Sequence, residues 1–150
     1  MIFFQLYFQW CLLYREFRTI KFAGGDRPCL SYVTMLEEYR IVEYFLEQPG
    51  IDVNMKGKEG YTPLHCASDY DCSEVVKVLL DNDKVDVNLQ DNHGMTALHW
   101  ASHEGHLDVV EALLGHSKID VNIQNNTGDT ALDHEIGKVA SRLHNCSNNT

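Results

Sequence analysis

The chain repeats itself every 34 residues, and this repetition limits the fold to a stack of similar small units. Three unrelated markers share the interval. They are a Thr-x-Leu motif that begins at Thr62, Thr96 and Thr130, an Asp-Val-Asn motif at 52–54, 86–88 and 120–122, and a glycine at 60, 94 and 128. Because the three markers keep one register over three periods, chance does not explain them, and a repeat protein is predicted.

Each unit carries signals for two helices. Thr62 and Thr96 can cap a first helix by accepting hydrogen bonds from its first-turn amides, and Pro63 follows at a position where its missing donor costs nothing. Gly105 can end such a helix in the left-handed conformation. A second helix at 107–114 has an apolar stripe made of Leu107, Val110, Leu113 and Leu114. The residues predicted to be buried between units are Leu79, Leu80, Leu113 and Leu114.

A helix, a turn, a second helix and a projecting hairpin-like loop, with Thr-Pro-Leu-His at 62–65 and Thr-Ala-Leu-His at 96–99, resemble the ankyrin repeat family. The resemblance implies an all-α, ankyrin-type solenoid that is short and has degenerate terminal units. The expected parts are a degenerate unit at 27–59, close matches at 60–93 and 94–127, a partial unit at 128–144 and a disordered tail at 145–150. Asp71 stands where the next unit has Gly105, so the turn is expected to change there.

Residues 1–26 do not share the repeat, and their role stays open. They begin with an uncharged run, MIFFQLYFQWCLLY, that is too short to span a bilayer. Gln5 and Gln9 interrupt this run, which also lacks the basic start of a signal peptide. A buried or partner-covered helix or strand is favoured over a signal or an anchor, and an artefactual start of the reading frame is a further alternative. Membrane association is not expected.

The charge balance of the chain argues against one class of partner. With 12 Lys and Arg against 22 Asp and Glu, the net charge is −10, and the basic residues form no patch. Nucleic acid is therefore not expected, because this field repels a phosphate backbone. The five cysteines contain no Cys-x-x-Cys pair, which is typical of reduced thiols in a cytoplasmic or otherwise intracellular protein.

The segment TALHWASHEGH, at 96–106, holds three histidines and a glutamate, which is a composition that can bind zinc. His99 and His103 stand four residues apart and share a helix face, as two imidazoles on one zinc ion do. In the repeat register, however, His99 corresponds to His65 and to Asp133. The family resemblance implies that this histidine bonds to the neighbouring threonine and to loop backbone. We therefore favour a structural histidine and expect no metal or cofactor, with a metal site as the alternative.

Other chemistry-bearing residues also have structural interpretations. Trp100 is interpreted as core between repeats, with a stacking platform as the alternative. Cys66 is interpreted as a small buried hydrophobe. Because adjacent helix residues face different ways, Cys66 and His65 are not expected to form a catalytic pair, and no catalytic residue is predicted. The motif asparagines are expected to brace the loops, and the resemblance also implies that they can be hydroxylated; they are Asn54, Asn88 and Asn122.

The sequence therefore favours a non-enzymatic module that binds another protein and no small-molecule substrate. Stacked repeats offer a concave groove lined by loop tips and first helices. The resemblance implies that the partner-binding residues are Lys58, Glu59, Tyr61, Asp69, Tyr70, Asn92, His93, Met95, His103 and Glu104. Among them, Tyr61, Tyr70 and Met95 are the expected apolar anchors. The alternatives are a piece of a larger ankyrin array without separate activity, and a histidine-based metal-binding protein.

Overall fold

Five short helices in two layers make up most of the described structure. The computed structural model describes residues 19–22, 25–28, 39–47, 50–57 and 59–133. Its elements are strands β1 (Thr19–Phe22) and β2 (Gly25–Pro28), then helices α1 (Tyr39–Leu46), α2 (Pro63–Asp69), α3 (Ser73–Leu80), α4 (Ala97–Glu104) and α5 (Leu107–Leu114). The two strands pair in antiparallel fashion ahead of the helices.

The helices follow the predicted order of a repeat solenoid. Inner helices α2 and α4 pack against each other, and outer helices α1, α3 and α5 pack in succession behind them. Each inner helix also contacts the outer helix that follows it in sequence. The predicted all-α repeat fold is confirmed for 60–127, where two helix–turn–helix units stand one behind the other. The bounds of the terminal units stay a prediction.

The inner helices begin at the predicted threonine caps. The Thr62 hydroxyl accepts from the backbone N–H of His65 at 3.4 Å, while the Thr62 N–H donates to Nδ1 of the His65 ring at 3.2 Å. Thr96 and His99 repeat this reciprocal arrangement with the same two distances. Because each pair satisfies backbone donors that a helix start leaves unpaired, the Thr-x-x-His motif itself stabilises the start of the inner helix.

The turn between inner and outer helix is the same in both units, although their sequences differ at its centre. Gly105 has a φ of 77° and Asp71 a φ of 58°, so both residues are left-handed. In each turn the next amide closes the same bond, from Cys72 to the Ala67 carbonyl and from His106 to the Ala101 carbonyl, at 2.9 Å. The expected change at Asp71 is therefore wrong, because the packed helices on either side hold the aspartate in the conformation that glycine adopts freely.

Replacing Asp71 by glycine is expected to stabilise the protein. A left-handed residue with a side chain costs about 1–2 kcal/mol, and the greater backbone entropy of glycine in the unfolded chain offsets part of this, so the net gain should be about 0.5–1 kcal/mol. Urea unfolding followed by circular dichroism measures the change. Gly105→Asp is the matched reverse substitution and should lose a similar amount. A less stable Asp71→Gly protein would contradict this account of the turn.

The core lies between the two helix layers, and its centre differs slightly from the prediction. Leu79 and Leu113 are fully buried, as predicted, but Leu80 and Leu114 are only half-buried. Leu107 is also half-buried. The residues that are fully buried are instead valines in the middle of outer helices α3 and α5. These valines are Val75, Val76, Val109 and Val110. The stripe is shifted because each outer helix packs both on its own inner helix and on neighbouring outer helices.

Two of the three motif asparagines, Asn54 and Asn88, brace the loops, as predicted, by linking one repeat to the next. The Asn54 amide donates to the Lys84 carbonyl at 2.8 Å and accepts from the Asp86 N–H at 2.9 Å. Asn88 makes the same two bonds to Lys118 and Asp120. One side chain therefore satisfies both a donor and an acceptor of the following loop, which sets the spacing between repeats.

Candidate functional site

The loop tips that precede the inner helices form a continuous, hydrogen-bonded edge. Within each tip, two backbone bonds close the turn, for example from the Asp91 N–H to the Met95 carbonyl at 2.9 Å and from the Gly94 N–H to the Asp91 carbonyl at 3.1 Å. Between tips, the Asn92 N–H donates to the Glu59 carbonyl at 3.1 Å, and the Asn126 N–H donates to the His93 carbonyl at 3.0 Å. Side chains at the tips therefore stand on a fixed backbone, as a recognition surface requires. We call the loop tips 59–61 and 91–95 together with α2, its C-terminal cap residue Tyr70, and α4 the inner surface.

Asp91 holds the second tip together and positions Trp100 on the inner surface. The Asp91 side chain is buried, and its Oδ1 accepts from the backbone N–H groups of His93 at 2.8 Å and Met95 at 2.9 Å. Its Oδ2 accepts from the indole Nε1 of Trp100 at 2.9 Å. The two carboxylate oxygens thus connect the loop tip to helix α4, and the orientation of the indole is fixed.

Aromatic rings from both repeats meet beside this anchor. The centroids of the Tyr61 and Trp100 rings lie 5.3 Å apart, and those of Trp100 and His103 lie 6.4 Å apart with the rings nearly perpendicular. Tyr61 also stacks on the His65 ring at 5.9 Å. Trp100 was predicted to lie in the core between repeats, but it is half-buried. Its indole N–H donates to the Asp91 carboxylate at the loop, and this bond holds the ring at the edge of the core. We call the three rings that meet here, Tyr61, Trp100 and His103, together with the exposed Tyr70 at the end of α2, the aromatic row.

The predicted partner-binding residues differ in accessibility. The exposed members are Glu59, Tyr70, Asn92, His93, His103 and Glu104, and the half-buried members are Tyr61 and Asp69. Lys58 lies outside the described residues. Met95 is only 7% exposed, because the next tip covers it and the Asn125 amide donates to its sulfur at 3.4 Å. Met95 is thus much less accessible than the apolar anchor expected from the sequence, whereas Trp100, for which a stacking platform was the alternative interpretation, is accessible in part.

The histidines of TALHWASHEGH have separate contacts and do not converge. His99 uses Nδ1 toward Thr96 and Nε2 toward the Asp129 carbonyl at 3.1 Å, which are the contacts that the family resemblance implied. His106 reaches back to the previous repeat, where its Nε2 lies 3.1 Å from the Asp69 carbonyl. In the part of the chain that the structure describes, no three His, Cys, Asp or Glu side chains lie together as ligands for a metal ion.

His65 occupies a buried site that suits only its neutral form. The Nε2 atom lies 3.0 Å from the Met95 carbonyl, so it must carry the proton, and Nδ1 accepts from the Thr62 N–H. Burial lowers the pKa of His65 below its ordinary value of 6.5, although the bond to the Met95 carbonyl and the charge of Asp91 act in the opposite direction. Protonation of Nδ1 would also remove the acceptor that the Thr62 N–H uses.

Acidification is therefore expected to destabilise the protein through His65. Because the folded-state pKa is the lower one, the unfolded state binds more protons once the pH falls below about 6.5, and the free energy of unfolding decreases from there down to the folded-state pKa. Unfolding measured at about pH 7.5 and about pH 5.5 tests this. The wild type should lose more stability over this window than His65→Gln does. Equal losses would assign the pH dependence to other groups.

Comparison with known proteins identifies the family of the chain. The family model described as ankyrin repeats in 3 copies matches residues 30–125, which is more than half of the sequence, and the chain belongs to the ankyrin repeat family. Members of this family are generally protein–protein interaction modules and are generally not enzymes. Among curated proteins, alpha-latrocrustotoxin-Lt1a of Latrodectus tredecimguttatus is 46% identical over 57 residues, which is 38% of this chain and 4% of that protein. The chain thus spans a small part of the length of that relative.

Among the helices formed by the described residues, none combines the length and the apolar character that crossing a bilayer requires.

Proposed function

We propose that this protein is a non-enzymatic recognition module that binds a partner protein on its inner surface. The observation that carries the proposal is the aromatic row, in which rings from two repeats meet on a fixed backbone while Tyr70 stays 46% exposed. Aromatic side chains that are accessible yet held in place are the residues that protein interfaces most often use as anchors. The rigid loop tips reduce the conformational entropy that binding would otherwise cost.

The outer surface, which is formed by helices α3 and α5, offers fewer accessible aromatic side chains for recognition of a partner. Its exposed positions include a Lys77–Glu74 ion pair of 2.6 Å whose two side chains are 54% and 66% exposed. Such exposed ion pairs contribute little to the free energy of folding, and they are typical of a solvated helix face. The described aromatic residues that are exposed at least in part belong to the inner surface, or to α1, which carries Tyr39, Tyr44 and Phe45. This contrast favours the inner surface of α2 and α4 over α3 and α5.

We also propose an intracellular location and the repeat bounds 27–59, 60–93, 94–127 and 128–144, with 1–26 and 145–150 outside the array. The location is supported by Cys66 and Cys72, which are buried thiols outside any disulfide and so fit a reducing compartment. The activity of alpha-latrocrustotoxin-Lt1a is not carried over, since the shared segment is a small part of that protein.

Affinity measurements with paired variants test the proposal. After capture of a partner from the source cell, its affinity should fall for Tyr61→Ala, Tyr70→Ala and Trp100→Ala, with at least one loss of about 2 kcal/mol, which is roughly thirtyfold. Lys77→Glu and Glu111→Lys on the outer helices are the controls and should bind like the wild type. Circular dichroism establishes that each variant folds. If the inner-surface variants bind normally and the two controls do not, the outer helices form the contact surface.

A further inference from the structure

The aromatic row lies in an environment rich in acidic groups, and Lys56 approaches it from the loop side, where its Nζ donates to the Gln90 carbonyl at 2.7 Å. Residues 59–71 and 89–106, which supply the loop tips, the inner helices and the turns after them, contain no lysine and no arginine. They do contain five carboxylates, which are Glu59, Asp69, Asp71, Asp91 and Glu104. Over these two segments the inner surface is therefore an anionic as well as an aromatic surface.

These carboxylates differ in what they can offer a ligand. Asp91 is buried and already accepts from the Trp100 indole and two backbone amides, so its role is to position the ring. Glu104 has a side chain that is 42% exposed, and the Asp71 side chain is 58% exposed. Asp69 is half-buried. Three carboxylates near the ends of the inner helices therefore have accessible surface, and two of them also lie 3.7 Å from a histidine nitrogen, Glu104 from His103 and Asp71 from His106.

The ends of α2 and α4 are brought together by packing and by one hydrogen bond. The two helices lie side by side and end at Asp69 and Glu104. His106, two residues after Glu104, approaches the Asp69 carbonyl with its Nε2 at 3.1 Å and the Asp71 carboxylate with its Nδ1 at 3.7 Å. Helix carbonyl ends carry partial negative charge, which adds to that of the carboxylates. This end of the inner surface is therefore acidic, with the His103 and His106 imidazoles beside the Glu104 and Asp71 carboxylates.

We propose that the inner surface binds an extended, arginine-bearing segment of its partner protein. A guanidinium can stack on the Trp100 or Tyr70 ring and at the same time form paired hydrogen bonds with the Asp69 or Glu104 carboxylate. Arginine suits this combination better than lysine because its planar group stacks and pairs at once. The inference rests on the proposed function, since it names the chemistry of the partner for that same surface.

Peptides of defined chemistry test the proposal directly on the full chain. One probe alternates arginine with serine, and its matched counterpart carries citrulline, which keeps the planar shape without the charge. The chain has 2 tryptophans, so a Trp10→Phe background leaves the fluorescence of Trp100 as the signal. The arginine peptide should change this fluorescence and bind about tenfold or more tightly than the citrulline peptide. Its affinity should also fall as salt is added.

Two double variants with the same change in charge separate this surface from general attraction to an acidic protein. Asp69→Asn/Glu104→Gln removes carboxylates at the ends of the inner helices, and Asp108→Asn/Glu111→Gln removes exposed ones from α5. The first should weaken the arginine peptide about tenfold or more, and the second should change it little. Equal affinities for the arginine and citrulline peptides, or equal effects of the two double variants, would overturn the proposal.

The failure of this inference is distinguishable from failure of the proposed function. If the arginine peptide shows no preference but the captured partner still depends on Tyr61 and Tyr70, the inner surface binds protein by other chemistry and this inference is overturned alone. If the partner depends on Lys77 and Glu111 instead, both are overturned. A partner whose bound segment loses affinity when its arginines are replaced by citrulline supports both.

Discussion

Leu79→Ala and Leu113→Ala are each expected to lower the free energy of unfolding by about 2–5 kcal/mol, which is the usual cost of truncating a fully buried leucine. Both side chains are 0% exposed and lie where an outer helix meets its inner helix and its neighbours. A domain of this size has about 5–15 kcal/mol of stability in total, so each substitution should leave little of it. Urea unfolding followed by circular dichroism measures the loss.

The adjacent leucines provide matched controls for this prediction. Leu80 and Leu114 have the same side chain and follow directly in sequence, but they are only half-buried. Leu80→Ala and Leu114→Ala should therefore cost clearly less, because less apolar surface is withdrawn from water and a smaller cavity is left. Losses of equal size at Leu79 and Leu80 would show that the core does not centre where the structure has it.

Gly94→Ala is expected to be strongly destabilising at the loop tips. Gly94 has a φ of 75°, a conformation that costs alanine about 1–2 kcal/mol. An added Cβ would also lie 2.6 Å from the Asn126 Oδ1 and 2.7 Å from the Asn126 backbone nitrogen. Because backbone of the next tip would have to move, overpacking should add about 1–3 kcal/mol. The loss is measured by urea unfolding.

Gly105→Ala separates the two contributions. Gly105 has nearly the same φ, 77°, but an added Cβ there meets nothing within 4 Å. Gly105→Ala should therefore lose only the stability that the left-handed conformation costs alanine. The difference in stability between Gly94→Ala and Gly105→Ala then reports how closely adjacent tips approach. If Gly94→Ala costs no more than Gly105→Ala, the tips do not form the continuous edge described above.

Much of the fold could be predicted because its determinants are local and recur. The Thr-x-x-His caps and the glycine turns each depend on a few neighbouring residues, and the structure confirms them at Thr62 and Thr96. Asp71 marks the limit of such reasoning. Its turn is preserved by the packing of α2 and α3 and not by its own preference, since packing of an apolar face routinely overrides the preference of one residue.

The candidate site was less predictable because it depends on contacts between repeats. Trp100 stands in register with Cys66, which is 1% exposed, so core was the natural inference from the sequence. Its anchor, Asp91, is nine positions away and belongs to the loop, and no helical or strand spacing links the two. Met95 is in register with the half-buried Tyr61, but Asn125 of the following tip covers it. Such differences arise only when neighbouring repeats are packed together.

Site-specific photo-crosslinking tests the central proposal, that the inner surface contacts the partner, most directly. A photoreactive phenylalanine analogue is introduced at Tyr70, which is 46% exposed on the inner surface, or at Lys77, whose side chain is 54% exposed on α3. After irradiation in the source cell, the first protein should form a covalent adduct with the partner and the second should not. An adduct formed from position 77 and absent from position 70 would contradict the account.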